Sequence, residues 1–259
     1  MPDYRSIRYD LRDNVATITF NRPDAANAID EHTSRELVDA LVRSEENREV
    51  RALILTGNGR FFCAGADLRA IFTPADELKT GVSFIHVAAS KIVRAPFPVI
   101  SVVNGTAAGG GMGLACACDL MIAAESARFI MAFTRRGLSP DSTTTYFLPR
   151  RIGLGRALEL AYLNRTLTAQ EALDWGIANR VVADAELPRA AHAMAAELAQ
   201  GATQAFAAAK RLMHQGCVET LETQIENEVR TIYQMLATED TREAIRAFNE
   251  KRTPVFRGR

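Results

Sequence analysis

Strands alternating with helices over the first three-quarters of the chain, then helices alone, predict an α/β core with a helical C-terminal appendage. Three short apolar runs carry the sheet: VATITF, VRALILT and PVISVV. Between them lie longer stretches of helical character, and from about Leu187 onward there is little strand signal. With 259 residues, 47% of them hydrophobic, the chain can bury one substantial core.

Each element follows from local chemistry. Residues 15–20 alternate as a strand should, and Asn21-Arg22-Pro23-Asp24 then breaks the run. Asp30 can cap a helix by accepting from its free amides, and Leu37, Leu41 and Val42 share one face until the charged run near Arg48. Residues 50–56 are apolar enough for a largely buried strand, and Gly57-Asn58-Gly59 turns the chain into FFCAGADL. Residues 76–94 read as a helix, residues 98–103 as a buried strand, and AAGGGMG opens the next apolar helix. Short extended segments follow at 120–123 and 128–133. After Pro140 the chain turns mostly helical, and Thr168-Ala169-Gln170-Glu171 has the form of a capping box. No repeat, linker or low-complexity segment interrupts this order.

Composition excludes several function classes. Lys plus Arg and Asp plus Glu number 31 each, so no whole-chain charge draws in nucleic acid or an anionic membrane. Cys63, Cys116, Cys118 and Cys217 lack metal-ligand spacing, so no metal is expected and they read as reduced, buried thiols. The charged start MPDYRSIRYDLRDNV lacks a signal peptide's apolar region, and no apolar run is long enough to span a bilayer. A soluble cytoplasmic protein is expected. No GxxxxGK[ST] loop occurs, and GGGMG does not form GxGxxG, which argues against nucleotide phosphate binding of those kinds.

Two backbone features suit a ligand. FFCAGADL places small residues where a ligand can approach the main chain, and Gly109-Gly110-Gly111 precedes a helix whose N-terminal amides can hold a developing oxyanion. The same glycines also permit close helix-strand packing. A third feature is Asp141, the single carboxylate in RRGLSPDSTTTYFLPR, readable as a turn and helix cap or as a reacting group.

NRPDAANAID, FCAGADL, VNGTAAGGG, CDLMIAAESARF and REAIRAFNEKRTPVF occur in that order, and together they resemble the enoyl-CoA hydratase/isomerase (crotonase) superfamily over essentially the whole chain. The resemblance implies a spiral of ββα units (residues 1–200) binding acyl-CoA, a helical trimerisation region (201–259), and a homotrimer or dimer of trimers. It implies an acyl-CoA thioester substrate, of which CoA is a part, and no separate cofactor. The thioester oxygen would sit between the amides of Ala66 and Gly110. Ala64, Ala66, Asp67, Leu68 and Gly110 would line the CoA site with Phe133. Arg22, Phe248 and Lys251 are further contacts for it, although Arg22 and Lys251 read equally well as surface cations.

The departures from the family pattern are specific. The two glutamates of a hydratase would fall three residues after Gly110 and twenty further on, where this chain has Gly113 and Phe133. Neither transfers a proton, so hydration by a glutamate pair is not expected. Eight residues beyond Phe133, Asp141 stands where some isomerases carry a catalytic aspartate. FIMAFTRRGLSPDSTTTYFLPR is similar to the corresponding segment of ring-1,2-epoxyphenylacetyl-CoA and Δ3-Δ2-enoyl-CoA isomerases. Thr143 and Thr144 replace two glycines common in the family, implying a narrower or more polar acyl pocket.

Two alternatives remain. Aryl-CoA dehalogenases carry a nucleophilic aspartate at this position and a histidine 24 residues before the central glycine, where this chain has His86. His86 also reads as an ordinary helix residue. The dehalogenase tryptophan and aromatic are replaced by Phe133 and Ala66. A non-catalytic acyl-CoA-binding protein is the other alternative.

Overall fold

The computed structural model describes residues 3–69 and 75–259, and the side chains of residues 75–82 fall outside that description. The chain starts with an antiparallel pair, β1 (Ile7–Arg12) and β2 (Val15–Phe20), joined at Asp13 and Asn14, whose φ angles of 50° and 63° suit a tight hairpin. β1 was not foreseen in the sequence. Its alternate residues, Arg8, Asp10 and Arg12, are charged because it is the outer strand, and only Ile7 is buried.

After α1 (Glu31–Glu46), capped by Asp30 accepting from Thr33 N at 2.8 Å, the chain coils as ββα units. The first unit is β3 (Ala52–Gly57), β4 (Phe61–Cys63) and α2 (Ala75–Arg94). The second is β5 (Val99–Val103), β6 (Thr106–Ala108) and α3 (Gly110–Ala117). The third is β7 (Leu120–Ala124), β8 (Arg128–Ile130) and α4 (Thr144–Ile152). Then come α5 (Leu154–Leu163), β9 (Leu167–Thr168), α6 (Ala169–Asp174) and β10 (Arg180–Val182). Each unit gives one strand to a six-stranded sheet, β1-β2-β3-β5-β7-β10, and one to a four-stranded sheet, β4-β6-β8-β9. From β2 to β10 the larger sheet is parallel, and the central strands are apolar on both faces: Leu53, Leu55, Val99, Ile100 and Val103 are fully buried. Each such side chain contributes about 1.5–3 kcal/mol through removal from water.

The extended segment expected to reach residue 133 stops at Ile130, because Ala132 adopts φ 60° and leaves the sheet. That bend turns Phe133 into the cleft described below. The capping box at Thr168 and Glu171 forms as expected.

Four helices close the chain. α7 (Leu187–Gln200) packs across β2, β3, β5 and β7, followed by α8 (Thr203–Gly216), α9 (Leu221–Leu236) and α10 (Glu239–Glu250). Along α9, Leu221, Ile225, Val229, Ile232, Tyr233 and Leu236 are exposed. Among the described residues no helix is long and apolar enough to cross a membrane. Cys63, Cys116 and Cys118 are buried free thiols as expected, whereas Cys217 at the end of α8 is exposed, since that helix faces outward there.

Candidate active site

The loop after β4, the start of α3 and residues 132–141 enclose a cleft of about 660 Å³. The first wall is held by the segment before α1. Ala64 N donates to Ala26 O (3.1 Å), Ile29 N to Gly65 O (2.8 Å) and Asp67 N to Ile29 O (2.8 Å). This strand-like pairing uses Gly65 and Asp67 and so turns the Ala66 amide the other way. NRPDAANAID and FCAGADL are thus two halves of one clasp.

Ala66 and Gly110 both line the cleft, and neither amide donates to another group among the described residues. Gly110 opens α3, where an intrahelical partner does not exist, so its N–H carries the helix's partial positive charge outward. The two loops touch at Gly65: a Cβ there would lie 2.9 Å from Ala108 O and 3.1 Å from Gly110 N, and its φ of 88° disfavours any side chain. Ala64, Asp67, Leu68 and Phe133 line the same cleft. The Phe133 ring lies over Gly109, 3.7 Å from where that residue's Cβ would be.

Asp141 lies on the opposite wall, half-buried. Its carboxylate is not a helix cap. Oδ1 accepts from Ser142 Oγ at 2.8 Å, while the backbone carbonyl takes Thr144 N (3.0 Å) and Thr144 Oγ1 (2.7 Å). Ser142 and Thr143 both have left-handed backbones, φ 50° and 63°, a strain on the order of 1–2 kcal/mol each for non-glycine residues. The threonine hydroxyls offset that strain by bonding to the loop itself, Thr143 Oγ1 donating to Ser142 O at 2.6 Å. Neither threonine is among the described residues that line the cleft. His86, exposed on α2, also stays off the cleft wall, and its Nε2 accepts from Ser142 N at 3.1 Å.

Gly113, where the resemblance would put a hydratase's glutamate, is closed by this loop. A Cβ on Gly113 would meet Ser142 O at 2.3 Å and Thr144 Oγ1 at 2.6 Å. A side chain at 113 and this fold of the Asp141 turn are therefore mutually exclusive.

Arg22 does not line the cleft. Nη1 donates to Ala28 O at 2.7 Å and pairs with Asp30 at 2.9 Å, and Nη2 pairs with Asp67 at 3.2 Å. A clasp-binding role, unreadable in the sequence because the partners are distant, takes up the guanidinium. Arg69 completes it, meeting both Asp67 oxygens at 3.0 and 2.9 Å. These bonds, Arg69's first, hold the Asp67 carboxyl at about 2, below its ordinary 3.8. Because the folded value is depressed, the stabilisation is present above about pH 4 and disappears as pH falls toward 2. Urea midpoints of the wild type are therefore expected to fall more steeply over that window than those of Asp67→Asn. Parallel slopes would show that Asp67 contributes none of it.

Phe248 and Lys251, at the end of α10, are exposed and line no part of the cleft within one chain. The sequence reading missed Arg69 and Arg136, two cations on the cleft wall, and Ser142, whose significance lies only in its contacts. Among the described residues no cluster of three or more His, Cys, Asp or Glu side chains is arranged to hold a metal ion.

Comparison with known proteins places this geometry. The family model for enoyl-CoA hydratase/isomerase matches residues 10–259. A protein of Rhodobacter capsulatus named probable enoyl-CoA hydratase is 40% identical, covering 99% of both chains. The 1,2-epoxyphenylacetyl-CoA isomerase of Escherichia coli is 39% identical over 95% of both chains. The crystal structure of an enoyl-CoA hydratase from Bacillus anthracis superposes with a TM-score of 0.94 at 36% identity, covering 98% of this chain and 100% of the other.

Proposed function

The chain belongs to the enoyl-CoA hydratase/isomerase family, and from that premise we propose that it is an isomerase of CoA thioesters rather than a hydratase. The observation that carries this reading is a single available carboxylate, among the described residues, on a cleft lined by two amides that donate to no described group. Three acids line the cleft among the described residues: Asp67 is paired to two arginines, Asp24 is exposed at its rim, and Asp141 remains. In the proposed reaction Asp141 takes a proton from the α-carbon, the Ala66 and Gly110 amides hold the dienolate oxygen, and Asp141 returns the proton at the γ-carbon. Each amide supplies about 2.7–4 kcal/mol of transition-state stabilisation. Opening of a ring epoxide β to the thioester carbonyl would start from the same α-proton removal, with the epoxide oxygen leaving and the same oxyanion hole holding the enolate. Proton transfers alone make up the double-bond shift, so the proposal calls for no redox group or metal.

CoA phosphates would meet Arg69 and Arg136, the cations of the cleft, in place of Arg22. We further propose assembly as a homotrimer or dimer of trimers, supported by the exposed apolar stripe of α9. Phe248 and Lys251 would then reach a CoA across a subunit boundary.

The dehalogenase reading requires His86 to activate water, but its Nε2 already accepts from Ser142, and Phe133 stands in place of the orienting tryptophan. Proton NMR in D2O of a Δ3-enoyl-CoA and of 4-chlorobenzoyl-CoA separates the readings. Conversion to the Δ2 isomer is the expected result. Chloride release with a hydroxyaryl product would replace isomerisation with dehalogenation, and binding of both thioesters without turnover would replace it with a non-catalytic role.

A further inference from the structure

The reaction proposed above uses Asp141 but leaves its neighbour unexplained. Ser142 is 1% exposed and makes two bonds that converge on the site: its amide donates to His86 Nε2 at 3.1 Å, and its hydroxyl donates to Asp141 Oδ1 at 2.8 Å. The same hydroxyl oxygen lies 2.7 Å from where a Cβ on Gly110 would be. Ser142 is thus wedged between the carboxylate and the helix terminus that carries one oxyanion donor.

We propose that Ser142 is the positioning residue for Asp141 and that His86 anchors it, fixing the distance from the proton-transfer group to the oxyanion hole. This inference rests on the isomerase reading. A 1,3-proton shift asks one carboxylate to reach two carbons in turn without drifting, so its torsions must be held while one oxygen stays free. The Ser142 hydroxyl holds Oδ1, and Oδ2 accepts from no group among the described residues. Because Ser142 has φ 50°, it needs an external restraint, and the bond from its amide to His86 supplies one from a different helix. For Nε2 to accept, the ring proton must sit on Nδ1. His86 is not among the described residues that line the cleft, and in this proposal it acts through Ser142 as a positioning group.

The test is a set of five variants assayed for Δ2 product. Ser142→Ala and Ser142→Gly are expected to lower kcat by about tenfold to a hundredfold with KM little changed, because misplacing a reacting group by about 1 Å costs up to that much. Ser142→Thr, which keeps the hydroxyl, is expected to recover most of the rate. The glycine variant relieves the left-handed backbone, so a loss it shares with Ser142→Ala does not come from backbone strain, and equal melting temperatures of the two exclude a folding defect. His86→Ala is expected to show a smaller loss that His86→Gln, whose Oε1 can accept the same amide, restores. Equal losses in Ser142→Ala and Ser142→Thr, or a rise in KM at constant kcat, would overturn the positioning role. Hydrogen exchange at the Ser142 amide judges the anchor without any assay: faster exchange in His86→Ala is expected, and an unchanged rate would overturn it. If the wild type isomerises nothing, the functional reading fails, while the exchange result and the Asp141 carboxyl carbon shift in Ser142→Ala still decide whether the clamp exists.

Discussion

Asp141→Asn is expected to lower kcat for double-bond migration by about 10²- to 10⁴-fold while leaving thioester affinity nearly unchanged. The substitution preserves volume and keeps an oxygen that can accept from Ser142 Oγ, so the loop held through the Asp141 carbonyl should stay folded. What it removes is the capacity to take and return a proton. Among the described residues the cleft offers no substitute, since Asp67 is pinned by Arg22 and Arg69, Asp24 is exposed at the rim, and neither Gly113 nor Phe133 can carry a proton. Rates measured by NMR, with affinity from calorimetry on a non-reacting saturated acyl-CoA, check both halves. Retained activity would remove Asp141 from the chemistry, and a parallel loss of affinity would recast it as a binding residue.

The second large effect concerns Gly113. Gly113→Glu restores the residue type that a hydratase has at this position, yet we expect no hydration of crotonyl-CoA, even combined with Phe133→Glu. A Cβ there would lie 2.3 Å from Ser142 O and 2.6 Å from Thr144 Oγ1, distances that only displacement of the loop can relieve. The smaller Gly113→Ala already demands that displacement, and overpacking of this kind costs about 1–3 kcal/mol. A protein of this size would then melt about 2–4 °C lower for each kcal/mol lost. Because the displaced loop carries Asp141, isomerisation should fall as well. An alanine variant with unchanged melting temperature and rate would show that the loop yields freely, and hydration by the double variant would show that the turn does not block the glutamate.

The legibility of this protein in its sequence varies by element. β2 was visible from its alternation, and β3, β5 and β7 because strands buried on both faces are largely apolar along their length. β1 was hidden because an edge strand buries so little that Arg8, Asp10 and Arg12 are tolerated. Asp30 and Thr168 were readable as caps, since capping is decided within a few residues.

At the cleft, the sequence by itself named three lining residues: Ala66 in AGADL, Gly110 in GGG and Asp141 after Pro140. Each is a matter of residue type at a position, and residue type is what a sequence records. Only the tertiary structure decided their condition. It showed that Ala66 and Gly110 keep their amides unbonded among the described residues, that Arg22 is taken up by Asp30 and Asp67, and that His86 meets a backbone amide 56 residues away. These facts depend on which partners are already occupied, and occupancy arises from contacts between segments far apart in the chain.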